Sequence, residues 1–226
     1  MKLELVSKEN LVDNVWSFRF EAHPAQHWTA GQYIQVELPH SQPDDEGTKR
    51  YFTVSAAPFE GHIQITTRIT ESTFKQALVN LAVGGELQLL MAPDGDFVWE
   101  ETDRPIVFVA AGVGITPYRS MLAQREHDGL PLGVTLVYAN RTNKGPFRDE
   151  FDRYAAAGSG FTVHYVTGLV TAGGLKELLP GLMESFIYIS GPEPLVETLG
   201  DTLREAGLPE EQLKQDFFPN YTEKNF

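Results

Sequence analysis

The stretch Pro105-Ile-Val-Phe-Val-Ala-Ala-Gly-Val-Gly-Ile-Thr-Pro117 decides how the rest of the chain is read. Its first six residues form an apolar run, as in a strand buried on both faces. Tyr118 to His127 then reads as a helix, with Thr116 at the N-cap and Pro117 where a missing N–H costs nothing. Gly112 and Gly114 let the backbone turn sharply between the two and come close to a ligand. The N–H groups of the helix start would face an anion or a polar ring edge. A lone Gly-x-Gly also occurs in ordinary strand-to-helix turns, and Pro117 stands where the Rossmann fingerprint has a third small residue. The neighbouring segments decide between the two readings.

Downstream, strands at 105–110, 133–139, 161–166 and 185–190 alternate with helices near 117–128, 147–157, 173–179 and 193–206. This βαβ order predicts a parallel sheet with helices on both faces, and a last strand spans Leu213 to Phe218. Upstream the grammar differs. Strand signals cover 2–6 and 11–20, where Trp16, Phe18 and Phe20 alternate with polar residues. Further alternating runs lie at Gln32–Leu38, Arg50–Ser55, His62–Ile69 and Glu86–Met91. Such spacing predicts an antiparallel barrel or sandwich. One helix interrupts it, capped by Ser72-Thr73, carrying Phe74, Ala77, Leu78 and Leu81 on one face, and stopped by Gly84-Gly85. The change of grammar divides the chain into domains at 1–102 and 103–226.

The 226 residues are 42% hydrophobic and 22% charged, as in a globular protein able to bury two cores. No apolar run is long enough to span a bilayer, and Glu4 stands where a signal peptide would be apolar, so a cytoplasmic location is expected. There is no cysteine, which excludes disulfides, thiolate-held iron–sulfur clusters and a Cys nucleophile. Six scattered His without metal-ligand spacing argue against a structural metal. A net charge of −13 argues against nucleic acid and anionic membrane as partners. Up to Asp103 there are only seven Lys and Arg against sixteen Asp and Glu, so each cation there is informative.

One of these cations opens Arg50-Tyr-Phe-Thr53, which places a cation, aromatic rings and a hydroxyl on one strand. Arg50 and Phe52 share a face, and Tyr51 and Thr53 share the other. A flat aromatic cofactor with a phosphate tail needs such parts: a cation for phosphate, a ring to stack on, a hydroxyl for a ring nitrogen. Arg68 and Lys75 flank the Ser72-Thr73 helix start, a second place for phosphate.

With these motifs in order, the whole chain resembles the ferredoxin–NADP reductase family of flavoproteins. The resemblance implies two domains: an N-terminal antiparallel Greek-key β-barrel that binds flavin, then an α/β parallel-sheet domain that binds the nicotinamide nucleotide. The family's Arg-x-Tyr/Phe-Ser/Thr motif resembles Arg50-Tyr51-Phe52-Thr53. By that match Arg50 holds the flavin phosphate, Phe52 stacks on the isoalloxazine and Thr53 bonds near flavin N5. Phe52 departs from the commoner Tyr and loses one hydroxyl contact. Thr70-Glu-Ser-Thr73 resembles the phosphate loop, which gives Ser72 and Thr73 to the cofactor, and Thr67 and Arg68 count with them as cofactor-binding positions. Ala92-Pro-Asp-Gly-Asp-Phe97 resembles the family's Gly-Pro-x-Gly-x-Phe turn.

The stretch from Gly112 to Pro117 resembles the family's Gly-x-Gly-x-Thr-Pro motif, which faces nicotinamide and pyrophosphate. Thr116 then lies near the hydride path, beside Gly112, Gly114 and Pro117. Ser190-Gly191-Pro192-Glu-Pro-Leu195 resembles the Cys-Gly-Pro-x-x-Met motif, with Ser190 in place of Cys and Leu195 in place of Met. The resemblance thus implies Thr53, Thr116 and Ser190 as catalytic residues. Gln215 to Tyr221 resembles an aromatic segment that lies against the flavin through Phe218 and Tyr221, although Asn220 replaces a common Gly.

At the tip of the second parallel strand, Tyr138-Ala-Asn-Arg-Thr-Asn-Lys144 has no acid to bind the ribose hydroxyls of NADH. Arg141 and Lys144 suit a 2′-phosphate, which predicts a modest preference for NADPH. The expected function is therefore hydride transfer from NADPH or NADH to bound flavin, with FAD favoured over FMN because the Ser72-Thr73 helix start offers a second phosphate site. Electrons then pass to a separate acceptor, such as ferredoxin, flavodoxin or a small molecule, from a monomer or dimer. Three alternatives stay open: a reductase of diffusible flavin, a subunit of a larger complex, and a flavin-binding module without nicotinamide turnover.

Overall fold

A computed structural model describes residues 1–218; Tyr221 lies outside the described residues. The chain forms two compact units: Met1–Trp99 with Thr116–His127, and Glu100–Ile115 with the chain from Asp128 on.

The first unit has six antiparallel strands, β1 (Lys2–Val12), β2 (Val15–His23), β3 (Tyr33–Glu37), β4 (Lys49–Thr53), β5 (Ile63–Arg68) and β6 (Glu86–Asp94). They pair in the order β4-β3-β6-β1-β2-β5, and a Val54–Ile65 bridge brings the edge strands β4 and β5 together, curling the sheet into a barrel. Leu5, Phe18, Phe20, Ile34, Ile65 and Leu87 fill its core. The expected strand over 11–20 is instead crossed by a hairpin turn at Asp13-Asn14, between Val12 and Val15. Asp13 takes φ 48°, the left-handed conformation such a two-residue turn needs. β2 is also buried on its polar face at Ser17, because Ser17, Thr66 and Ser55 share a hydroxyl cluster with contacts of 3.0 and 2.9 Å.

Helix α1 (Thr73–Asn80) anchors to this core through Phe74 and Leu78, both fully buried. It ends before the expected Gly84-Gly85 stop; those glycines instead form the turn into β6, exchanging backbone bonds with Leu5. Lys8 Nζ holds the end of the helix, donating to the Val79 and Leu81 carbonyls at 2.6 and 2.9 Å, where the helix dipole favours a cation.

The second unit is a five-stranded parallel sheet of β7 (Ile106–Ala111), β8 (Val134–Asn140), β9 (Thr162–Thr167), β10 (Phe186–Pro192) and β11 (Leu213–Phe218), in the order β11-β10-β7-β8-β9. Helices α3 (Arg148–Ala156), α4 (Ala172–Leu178) and α5 (Glu193–Glu205) belong to it. Every residue of β7 is buried, as its unbroken apolar run requires. The order reverses about β7: the chain runs outward to β8 and β9, then returns to β10 on the other side. Ligands of open parallel sheets bind at such a reversal, beyond the carboxyl ends of the strands.

Helix α2 (Thr116–His127) belongs to the first unit. Ser120 Oγ donates to the Ala56 carbonyl at 2.7 Å, and the Arg119 guanidinium forks onto the Glu60 carboxylate. A turn of 3-10 helix, Gly112–Ile115, runs directly into it. Thr116 is therefore inside a continuous helical path, and the position expected for the N-cap moves back into the glycine bend, where Gly112 takes φ 55°.

Candidate functional site

Arg50 projects from β4 with its side chain 13% exposed. Its guanidinium carbon lies 5.1 Å from the Phe74 ring centroid. Nη2 donates to Ser72 Oγ at 3.2 Å, so cation and helix start are brought together as the sequence suggests. The remaining contacts come from the acidic loop before β4 and from the first residue of that strand. Nη1 donates to the Glu46 and Lys49 carbonyls at 2.8 and 2.7 Å, and Glu46 Oε2 lies 2.7 Å from Nη2. Nε is buried with no hydrogen-bond partner.

Ser72 is the N-cap of α1 but makes no capping bond with its side chain. The Thr73 N–H instead donates to Asp44 Oδ2 at 2.9 Å, and the Asp44 N–H donates to Thr73 Oγ1 at 3.0 Å. His40 Nδ1 lies 2.7 Å from the Leu38 carbonyl and its Nε2 3.0 Å from Thr73 Oγ1, which completes the network. The Thr73 N–H holds the Asp44 carboxyl below its ordinary range; burial opposes this, and the Thr73 hydroxyl, Arg50 and the Glu46 N–H add to it. The donor set is thus chemically suited to an anion, and the orphaned Nε adds an unused donor beside it. These residues fit the phosphate part of a flavin nucleotide.

The rings of β4 are placed differently from expectation. Phe52, read as the stacking ring, is only 7% exposed and packs in the barrel core, 5.9 Å from Phe74. An apolar ring without a hydroxyl gains most from that burial. Tyr51 is the exposed ring, at 50%, and meets Tyr33 edge-on at 5.8 Å. Tyr33 was not singled out by sequence; its position opposite Thr53 in the β3–β4 register is the signal. Thr53 and Thr67 are buried, at 4% and 1% exposure. Arg68 donates to Asn14 Oδ1 at 2.5 Å, at the turn of the first hairpin.

In the second unit the two glycine motifs meet. A Cβ on Gly114 would stand 2.2 Å from the Ser190 carbonyl oxygen and 2.7 Å from Gly191 Cα. A Cβ on Gly191 would lie 3.0 Å from that of Ala111. The bend after β7 and the Ser190-Gly191-Pro192 end of β10 therefore nest backbone to backbone at the strand-order reversal. Beside them a small apolar hollow, open to solvent, is lined by Ala111, Ala139, Leu169, Pro192 and Leu195. Ser190 is fully buried, and its Oγ donates to Asp216 Oδ2 at 3.4 Å. Asp216, missed by sequence reasoning, is opposite Ser190 in the β10–β11 register, and Phe218 is opposite Pro192.

The tip of β8 folds back on itself. A Cβ on Gly145 would lie 2.6 Å from Asn140 Nδ2 and 2.8 Å from the Tyr138 hydroxyl. Arg148 donates to the Asn143 carbonyl, which anchors the loop. Arg141 and Lys144 are exposed on it. Thr116 and Pro117 are buried in α2.

Two family models match the chain: an oxidoreductase FAD-binding domain over residues 2–99 and an oxidoreductase NAD-binding domain over residues 108–200. A flavohemoprotein of Burkholderia sp. (strain TH2) is 28% identical over 214 residues, covering 88% of this chain and 51% of that protein. The ferredoxin reductase component of 3-ketosteroid-9-alpha-monooxygenase from Mycolicibacterium smegmatis is 27% identical over 201 residues, covering 84% of this chain and 56% of that protein. The chain thus spans about half the length of the curated relatives it matches. Among solved structures, the FAD/NAD-binding domain of nitric oxide dioxygenase from Vibrio cholerae has a TM-score of 0.82 at 23% identity, covering 96% of this chain and 98% of that one. Ferredoxin-NADP+ reductase from Plasmodium falciparum has a TM-score of 0.81 at 15% identity, covering 96% and 95%. At these identities the structural likeness is one of fold.

Proposed function

Because the chain belongs to the FAD- and NAD-binding oxidoreductases of the ferredoxin–NADP reductase type, we propose that it is an electron-transfer reductase: it draws hydride from NADPH or NADH and delivers electrons, through bound FAD, to a separate acceptor. When bound, a flavin supplies the two-electron chemistry, and the protein supplies binding and orientation. Arg50, Ser72 and Thr73 hold the flavin phosphates. Thr53 offers a hydroxyl at the end of β4, and the exposed Tyr51 beside Tyr33 offers an aromatic face. Gly112 and Gly114 with Ser190, Gly191 and Pro192 receive the nicotinamide end, and Asp216 orients the Ser190 hydroxyl.

The observation that carries this reading is the Arg50 guanidinium joined to the α1 start at Ser72, with its Nε buried and unpaired. A ferredoxin reductase component among its relatives supports a separate protein acceptor, and the acidic composition supports one that is not itself strongly acidic. Among the described residues no helix is long and apolar enough to cross a membrane. The test is a visible spectrum of the FAD-loaded chain without oxygen, before and after each nucleotide. Bleaching of the flavin bands is expected; flavin that stays oxidised with both would remove the reading.

A second reading is favoured by one observation, the Asp44 carboxylate on the Thr73 N–H. With the phosphate donors engaged internally, flavin would be held weakly and serve as a diffusible substrate. Loss of flavin on gel filtration, with turnover restored by free flavin, would select this reading.

A further inference from the structure

Asp44 sits on the donors that the flavin reading assigns to phosphate. Its Oδ2 accepts the Thr73 N–H at 2.9 Å, and its Oδ1 lies 3.4 Å from Arg50 Nη2, which Glu46 also approaches at 2.7 Å. Helix start and guanidinium are thus both engaged by carboxylates of one loop. A diphosphate brought here with that loop in place would meet Asp44 and Glu46 around a single guanidinium, and like charges at such range oppose its binding.

Resting on the flavin reading, we infer that Asp44 is an intramolecular competitor for the phosphate donors: its loop must release Thr73 and Arg50 before the diphosphate of a flavin dinucleotide can take them. Three features distinguish this from an ordinary helix cap. Helix α1 is held without Asp44, by the buried Phe74 and Leu78 and by Lys8 at its far end. Ser72 accepts from Arg50, so cation and helix stay joined when the loop leaves. Arg50 Nε is buried and unpaired although the loop engages both terminal nitrogens; a guanidinium built only to fasten this loop would have that donor satisfied too.

The competitor lowers apparent affinity by the fraction of molecules whose donors are released. If the loop is seated nine times in ten, that is about tenfold. The test is calorimetric titration of the full chain, freed of flavin, with inorganic pyrophosphate, FAD and riboflavin. Asp44→Asn keeps an acceptor for Thr73 and removes the charge; Asp44→Ala removes both. Both variants are expected to bind pyrophosphate and FAD roughly tenfold more tightly, with riboflavin, which has no phosphate, unchanged. Thermal melts identify a variant that fails to fold, and D44N, which preserves the cap, then decides. Unchanged or weaker pyrophosphate binding by folded D44N overturns the inference. Failure of FAD and riboflavin to bind any form, with pyrophosphate binding still gained in D44N, leaves the competitor standing and removes the flavin reading.

Discussion

Gly114 has no room for a side chain, because the carbonyl oxygen of Ser190 lies 2.2 Å from where its Cβ would stand. The obstacle is backbone at the end of the buried strand β10, so it cannot swing aside as the tip of a long side chain would. Gly114→Ala must therefore push the bend after β7 away from β10. Overpacking of this kind costs about 1–3 kcal/mol. A urea melt should show that loss, together with weaker binding of NADPH. A variant as stable as wild type would mean that the two motifs are not nested.

Ser190 donates to Asp216 at 3.4 Å, near the limit for a hydrogen bond, so the pair contributes little to stability. Its value under the proposed function is in fixing the hydroxyl. Ser190→Ala is expected to change stability by less than about 1 kcal/mol. The rate of flavin reduction by NADPH, followed by stopped flow, should fall roughly tenfold, the equivalent of 1.4 kcal/mol in the barrier. An unchanged rate would take Ser190 out of the reacting site.

The strands and helices were legible wherever period and turn residues agreed. The apolar run of β7 and the alternation of Ile34 and Val36 are examples, since one pattern there sets both burial and element. The hairpin at Asp13-Asn14 was missed although Asp-Asn is itself a turn signal, because the hydrophobic alternation begins on both sides of it. What could not be read was which distant residue meets which motif. Ser72-Thr73 looks self-capping, but the carboxylate that caps α1 comes from Asp44, 29 positions away. That Arg50 lies beside the α1 start was legible, whereas its loop partners were not: nothing in an acidic loop says where it folds back. Strand alternation puts Phe52 and Tyr51 on opposite faces, but which face is inward depends on Phe74, in a different element. Likewise α2 follows the glycine bend in sequence yet packs in the first unit, through contacts such as Ser120 with Ala56 that no local pattern encodes.

Glu60 and Arg119 form a forked ion pair with side chains 18% and 13% exposed, and Glu60 also accepts the Ala57 N–H at 2.6 Å. Burial works against ionisation of Glu60, but Arg119 and the Ala57 N–H prevail and hold its carboxyl below the ordinary value of 4.5. A carboxyl depressed on folding contributes stability that is complete above its unfolded pKa. That contribution is lost as pH falls through the lower folded value. Glu60→Gln should cost about 2 kcal/mol at pH 7 and flatten the decline in stability below pH 4.5. Urea midpoints across that range decide; an acid limb as steep in the variant as in wild type would assign the acid sensitivity to other carboxylates.

Arg141 and Lys144 are exposed on a loop that is firmly placed, because Gly145 lies against Asn140 and Tyr138 and Arg148 holds the Asn143 carbonyl. A loop anchored at its base presents its cations at a small entropic cost, and no acid lies between Asn140 and Phe147 to repel a phosphate. The two cations are therefore expected to favour NADPH over NADH. Replacing both by Ala removes two surface charges and leaves the Arg148 hold on the Asn143 carbonyl intact, so stability should change by less than about 1 kcal/mol. KM for NADPH should rise roughly tenfold while KM for NADH stays within about twofold, since only the 2′-phosphate has lost its partners. Equal effects on both nucleotides would show that these cations act on the shared pyrophosphate instead. No effect on either would place the adenosine end away from the tip of β8.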